Sequence, residues 1–276
     1  MFGDLDASNL TNVPGVDLNE LTRFSVEFLL ISLRLGAFFL SSPIFGARSI
    51  PTQVRIVTTF AIAAAFYNSV PVPDIENLPF LSLIRVMGIE LAIGLSAGLM
   101  LTILFASVSL AGEKVASSGG LGFAQQVDPS SGGNTPVVSN LFTLFLIHIF
   151  LSSNMHLKLL MGLRQSFDII PMGQPISLYK IGEFGIGIAG EMFYLGALFM
   201  LPVVSGMLLV NATVGVVTRS APSLNFFSFG FPLTMMAMFF MLYVYAKPFA
   251  HAMEDLSFYA PEMFERFLQE LKDGRE

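Results

Sequence analysis

The sequence predicts an all-α membrane protein of about six long, partly broken helices arranged in hairpins. Of its 276 residues, 54% are hydrophobic and only 12% are charged, whereas soluble domains carry roughly 25% charged residues. Six apolar segments come near the length of about 20 residues that a membrane-spanning helix needs. The chain contains no cysteine, which excludes disulfides, thiolate metal sites and cysteine nucleophiles. Membrane assembly or transport is therefore favoured over soluble enzymology.

The apolar segments differ in length, and some are shorter or longer than a membrane-spanning helix requires. In chain order they are residues 24–45, 56–70, 81–111, 137–153, 184–217 and 226–246. The second is short, ends at Pro71-Val72-Pro73 and is compatible with a re-entrant or half-depth helix. The third and fifth are longer than a bilayer requires. Such a mixture suits helices that pack mainly on other protein segments.

The aromatic residues point the same way. The chain has 28 Phe, 6 Tyr and no Trp, whereas membrane interfaces are enriched in Trp and Tyr. We therefore expect the phenylalanines to pack mainly against protein. The segment Gly94-Leu95-Ser96-Ala97-Gly98 is a GxxxG pattern, which permits close approach of two helices. Ordinary helix packing is the simplest interpretation of that pattern.

A glycine-rich loop, residues 117–136, separates two of the long apolar segments. Its only charge is Asp128, and it contains five glycines together with three bulky apolar residues. Non-helical backbone at membrane depth occurs only inside protein or along a water-filled cavity, and an apolar constriction can seal a pore by dewetting. The loop is therefore a candidate pore closure. The plug residues would be Leu121, Gly122, Phe123 and Val127, and the hinges Gly119, Gly120, Gly132 and Gly133.

Four charged residues lie within or near the apolar segments. Glu27 and Arg34 are seven residues apart, on one helix face but about two turns apart, so each needs a neighbouring helix or subunit. We expect both to lack partners within one thin bundle, which would leave the isolated chain unstable. Arg85 and Glu90 lie near the start of the third segment and are expected to reach the interface. We interpret all four as structural charges, with a proton relay as the alternative.

Several kinds of chemistry have no basis in the sequence. No GxSxG, Walker A or HExxH motif occurs, so neither hydrolysis nor nucleotide-driven work is indicated. His148 and His156 have no third ligand at a zinc-site spacing. The chain has no basic patch, so we expect no nucleic-acid partner. We expect a protein that is not an enzyme and that carries no cofactor or metal.

The C-terminal tail predicts an amphipathic helix. Pro261 suits the first position of that helix. One face then carries large apolar side chains, those of Met263, Phe264, Phe267, Leu268 and Leu271. The polar face is acidic, which makes anionic lipid a poor ligand. The tail is therefore expected to dock on a protein.

An ordered set of motifs extends over about residues 21–250. The set comprises Arg34 with Pro43, Ile50-Pro51-Thr52-Gln53-Val54-Arg55, Gly112-Glu113, Gly122-Phe123-Ala124, Val127-Asp128-Pro129, Pro136-Val137, Ser166-Phe167 with Pro171, Ala221-Pro222-Ser223-Leu224-Asn225 and Gly230-Phe231-Pro232-Leu233. In this order they resemble the family of the flagellar biosynthetic protein FliR. The chain departs from the family pattern at Met155-His156 and at Ser223.

The resemblance implies one subunit of the export gate of the flagellar type III secretion system, packed in a helical multi-subunit gate. Residues 1–183, including the loop 117–136, would be P-type-like. Residues 184–276 would be a Q-type-like helical hairpin, turned at Pro222 and Asn225, with the amphipathic C-terminal helix. The implied partners are P-type and Q-type gate subunits, the switch-type export protein, the flagellar basal body and unfolded export substrates. The implied location is the bacterial inner membrane.

The sequence leaves two other functions open. An export gate of the injectisome, the virulence version of the system, would need the same conduit chemistry. A proton-coupled carrier of small solutes would use Glu27, Arg34 and Glu90 in its relay. The carrier should work alone in proteoliposomes, whereas a gate subunit should be inactive without its partners.

Overall fold

The computed structural model describes residues 12–13, 16–47, 49–71, 79–121, 137–221 and 229–274. Almost all of these residues are helical, which confirms the predicted all-α class. Two short strands, Asn12–Val13 and Val16–Asp17, pair in antiparallel fashion just before the first helix. The rest of the described chain consists of helices and the turns between them.

Seven α-helices form the described part of the fold. They are α1 (Leu18–Ser41), α2 (Thr52–Phe66), α3 (Phe80–Ser118), α4 (Val137–Ser152), α5 (Met155–Ile169), α6 (Leu178–Ser220) and α7 (Phe231–Asp273). Helices α4 and α5 are separated at Asn154, because its φ of 59° lies in the left-handed region, which ends a helix. The chain bends by 70° at this break.

Four of these helices are long and apolar enough to cross a membrane: α1, α3, α6 and α7. The bent pair α4 and α5 would make a fifth span if the pair crosses as one. Helix α2 has 15 residues and is about 22 Å long, which is shorter than the roughly 30 Å of a bilayer core. Helix α2 is therefore too short to cross a bilayer by itself, and the described residues contain at most five candidate spans where the sequence predicted six segments.

One compact unit contains the described residues of Met1–Met100, Leu160–Gly182 and Phe264–Glu276. Its core includes Phe38, Phe267 and Leu268, all fully buried. The Phe264 ring lies 6.1 Å from the Phe38 ring. Gly162 makes room for Phe264, because a Cβ at position 162 would lie 3.0 Å from its ring. The apolar face of the tail thus packs on protein, as predicted, and that protein is its own chain.

The expected start of a separate C-terminal helix at Pro261 is wrong. Helix α7 continues through Pro248 and Pro261 to Asp273. An interior proline costs roughly 3 kcal/mol, but five large apolar side chains after Pro261 are buried. Each of these contributes about 1.5–3 kcal/mol, which outweighs the cost of the proline.

The second compact unit contains the described residues of Leu101–Leu159 and Glu183–Met263. Within it α6 and α7 run antiparallel, since Gly206 faces Met241 and the Tyr259 hydroxyl donates to Glu191 at 2.7 Å. Aromatic pairs fill the remaining core, with Phe105 against Phe150 at 5.4 Å. This arrangement is a helical hairpin. Its expected turn residues, Pro222 and Asn225, lie outside the described residues.

Candidate functional site

Arg34 of α1 is the centre of a buried polar cluster in the first unit. Its side chain is fully buried, and its Nε donates to Glu90 Oε2 of α3 at 2.6 Å. Nη1 donates to Ser166 Oγ at 3.1 Å and Nη2 to the Ile170 carbonyl at 3.0 Å. The guanidinium also lies 4.1 Å from the centre of the Phe167 ring. One side chain thus joins α1, α3 and the end of α5.

This cluster corrects two expectations. Arg34 finds its partners within its own chain, so the argument that it lacks them in a single bundle is wrong. Glu90 does not reach the interface, because its side chain is fully buried in the ion pair, whereas Arg85 is exposed. The Oε1 atom of Glu90 is buried and has no hydrogen-bond partner among the described residues. One carboxylate oxygen of this buried ion pair is therefore left without a hydrogen bond in the part of the chain that the structure describes.

Glu27 has a separate pair of partners near the other end of α1. Arg23 donates to Glu27 Oε1 at 2.8 Å, and the hydroxyl of Tyr67 donates to Oε2 at 2.7 Å. That hydrogen bond to the carboxylate raises the pKa of the Tyr67 hydroxyl, because it is made by the protonated form. Glu27 thereby ties α1 to the short 3₁₀ turn that follows α2. The expectation that Glu27 lacks a partner within its own chain is therefore also wrong.

The GxxxG pattern sets the distance between α1 and α3. A Cβ at Gly94 would lie 2.8 Å from the Ala37 Cβ and would collide with the Arg34 carbonyl oxygen. At Gly98 a Cβ would lie 2.7 Å from the Phe38 carbonyl oxygen. The two glycines let α1 approach closely, which brings Glu90, one turn before Gly94, within reach of Arg34.

Substituting Gly94 by alanine is expected to destabilise the protein by about 1–3 kcal/mol, because the added methyl group meets backbone that cannot move aside. Gly88→Ala is the matched control, since a Cβ there meets nothing within 4 Å. Gly88→Ala should be neutral or slightly stabilising. Thermal unfolding of the purified protein in mild detergent would compare them. Equal melting temperatures for the two variants would contradict the packing argument.

The beginning of the glycine-rich loop is anchored in the second unit. Helix α3 ends at Ser118, whose carbonyl accepts a hydrogen bond from Asn211 Nδ2 of α6 at 3.0 Å. The Thr234 hydroxyl of α7 lies 3.5 Å from the Gly119 carbonyl oxygen. A Cβ at Gly119 would lie 3.0 Å from Met238 Cβ. We call residues 118–120 the loop root.

The two root glycines serve the packing of the turn. Gly120 has a φ of 86°, which side-chain-bearing residues rarely adopt, and a Cβ there would lie 3.2 Å from the Phe231 ring. Both glycines are buried, while Leu121 is half-buried. Of the other predicted loop residues, Gly122, Phe123, Val127, Gly132 and Gly133 lie outside the described residues. Their roles as plug and hinges stay predictions.

Sequence reasoning missed the residues that hold the loop root. Asn211 and Thr234 are polar side chains within largely apolar stretches of their helices, and that contrast was the available signal. A similar contact joins α3 to α4, where the Ser109 and Ser139 hydroxyls are 2.7 Å apart. There Gly112 permits the approach, since a Cβ would lie 2.6 Å from Ser139 Cα. Each partner is distant in sequence, so spacing along the chain does not reveal it.

Comparison with known proteins matches residues 25–259 to the family described as bacterial export proteins, family 1. The flagellar biosynthetic protein FliR of Bacillus subtilis (strain 168) is 30% identical over 233 residues, 82% of this chain and 88% of that protein. The FliR of Escherichia coli (strain K12) is 32% identical over 205 residues, 74% of this chain and 77% of that protein. The resemblance seen in the sequence motifs is thus confirmed. The chain belongs to the bacterial export proteins, family 1.

Proposed function

We propose that this chain, a component of the flagellar export apparatus, forms and closes part of a conduit for unfolded flagellar proteins across the bacterial inner membrane. It acts with P-type and Q-type sister subunits and with the switch-type export protein of the basal body. It does so without catalytic chemistry or a cofactor. Family membership and similarity to FliR proteins over most of the chain support the export role. The four long apolar helices support a membrane location.

The anchored loop root is the observation that carries the closing role. A plug seals a pore only if its attachment point is fixed, because otherwise the apolar residues would not meet the same constriction each time. Asn211 and Thr234 contact the carbonyl groups of Ser118 and Gly119, immediately before Leu121. This geometry supports a seal made by the residues that follow, held from one side by the α6–α7 hairpin.

The exposed apolar surface of the hairpin supports assembly with sister subunits. In the most apolar 18-residue stretch of α6, only 22% is buried within the chain, and in the corresponding stretch of α7 only 17% is buried. Ile186 on α6 is 77% exposed, and Tyr243 on α7 is 81% exposed. Large contiguous apolar patches mark interfaces with protein or with membrane. We propose that sister subunits cover a large part of this surface.

Reconstitution distinguishes a gate subunit from a carrier. Proteoliposomes containing the purified chain alone should show no proton-driven uptake of small solutes, since a gate subunit needs its partners. Vesicles containing the chain co-assembled with P-type and Q-type subunits should admit an unfolded flagellar substrate. Proton-driven uptake by the chain alone would contradict the proposal. Co-purification with flagellar rod and ring proteins, rather than injectisome proteins, would distinguish the two export systems.

A further inference from the structure

A crevice of about 280 Å³ runs between α1 and α2 in the first unit. The two helices are antiparallel, since the Phe28 and Phe60 rings lie 5.6 Å apart and the Phe24 and Tyr67 rings 5.0 Å apart. Apolar groups form nearly all of its walls, which include Leu29, Leu33, Gly36, Leu40, Ile56 and Phe60. None of these residues has a role in the loop root or the buried Arg34 cluster.

Among the described residues, Arg55 in the first turn of α2 is the one charged residue that lines the crevice. Its Nη2 donates to the Ala47 carbonyl at 2.7 Å and to the Ile50 carbonyl at 3.0 Å. Within the described part of the chain, its buried Nε has no acceptor, and no carboxylate forms an ion pair with it. A buried charged donor without a partner is costly. The two carbonyl contacts hold the guanidinium in place, and its Nη1 group, which is not enclosed and makes no hydrogen bond with any residue that the structure describes, is left to bind an anion.

Charge and apolar surface are arranged along the crevice in a definite order. Because the helices are antiparallel, Arg55 lies toward the Leu40 end, and Phe60 lies toward the Leu29 end. The crevice follows α1, which is apolar enough to cross a membrane, and Leu40 and Ile56 at its mouth are exposed. A cation at one end and an apolar channel beyond it match an amphiphile with an anionic head.

We propose that this crevice binds an anionic phospholipid, with one acyl chain between α1 and α2 and the phosphate on Arg55. Arginine suits phosphate because its planar fork presents several donors. A free phosphate would leave the apolar walls uncovered. An α-helix of a partner protein is about 10–12 Å wide with its side chains, too wide to enter the space between two packed helices. One acyl chain fits that space.

The test uses the full chain, in the assembly that purifies with it, in mild detergent. The probe is a phosphatidylglycerol whose acyl chain carries a photoreactive group, and the labelled peptides are identified by mass spectrometry. We expect labelling of the segments 29–40 and 52–60. Unlabelled phosphatidylglycerol should suppress this labelling at about tenfold lower concentration than phosphatidylcholine, because Arg55 contributes a charge-assisted hydrogen bond.

Two variants separate binding from folding. Arg55→Gln should weaken competition by phosphatidylglycerol about tenfold and leave that by phosphatidylcholine unchanged. Gly36→Leu should abolish labelling by filling the crevice, since a Cβ at position 36 makes only an ordinary 3.4 Å contact with Thr59. The Gly36→Leu variant keeps Arg55 and both of its hydrogen bonds to the Ala47 and Ile50 carbonyls. Arg219→Gln, at the exposed end of α6, removes the same charge elsewhere and should label like the parent.

Three results would overturn the proposal. The first is equal competition by the two phospholipids, which would show that Arg55 does not select the head group. The second is undiminished labelling of Gly36→Leu, which would place the acyl chain elsewhere. The third is capture of a sister-subunit helix, in place of the phospholipid, by a photoreactive residue introduced at position 56. In that case the crevice belongs to a protein interface.

Discussion

Replacing Arg34 by methionine is expected to destabilise the chain by about 3–5 kcal/mol, because it leaves Glu90 buried without its cation. It also removes the hydrogen bonds to Ser166 and to the Ile170 carbonyl. This loss is a large part of the roughly 5–15 kcal/mol that stabilises a typical domain. We therefore expect little folded protein in membranes and a large drop in the thermal unfolding temperature of what remains.

Three further variants test whether the loss of stability comes from the unpaired charge of Glu90. The double variant Arg34→Met with Glu90→Leu should recover much of the stability, since replacing both members of a buried pair by apolar residues is often neutral. Arg34→Lys should be intermediate, because lysine keeps the charge but cannot reproduce the planar set of donors. Arg85→Met, an exposed cation on the same helix as Glu90, is the control and should change little. If Arg34→Met unfolds at the temperature of the parent, the cluster does not stabilise the fold.

Replacing Leu121, Phe123 and Val127 together by serine is expected to make the assembled gate leak. Fully burying a side chain of this kind contributes roughly 1.5–3 kcal/mol, and the gap between closed and open states is typically only a few kcal/mol. Removing the apolar contacts should therefore populate the open state. Cells that carry the variant gate should leak ions and small solutes and grow poorly, while secretion persists with looser selectivity. Ion conductance of vesicles containing the gate would measure the effect directly.

The controls separate a seal from a packing element. Phe123→Leu should be nearly silent, because a bulky apolar side chain remains. Asn211→Ala tests the loop root, since it removes the hydrogen bond to the Ser118 carbonyl and leaves the plug residues unchanged; it should leak less than the triple variant. Assembly must be verified first, because loss of the complex is expected of any loop that only packs subunits together. A correctly assembled triple variant as ion-tight as the parent would refute the seal.

Local composition was sufficient to predict most of the helices. Apolar runs and their lengths predicted α3 and α6, and the structure extends both by several residues. The shortness of α2 was also evident from the sequence, because the run ends in a Pro-Val-Pro segment. The continuation of α7 through Pro261 was not predicted. Local rules treat that proline as a boundary, whereas the decision depends on burial of Phe264 and Phe267 against residues far away in the chain.

The sequence by itself determined the class of protein and, through the order of its motifs, its family. It also identified Arg34 and Glu90 as unusual charges and the segment 117–136 as an unusual loop. Only the tertiary structure paired Arg34 with Glu90, which is 56 residues away, and attached the loop root to Asn211, 93 residues from Ser118. The physical reason is that helix formation depends mainly on residues within a few turns. The partner of a buried polar group depends instead on which helices approach closely, and here small residues such as Gly94 control that approach.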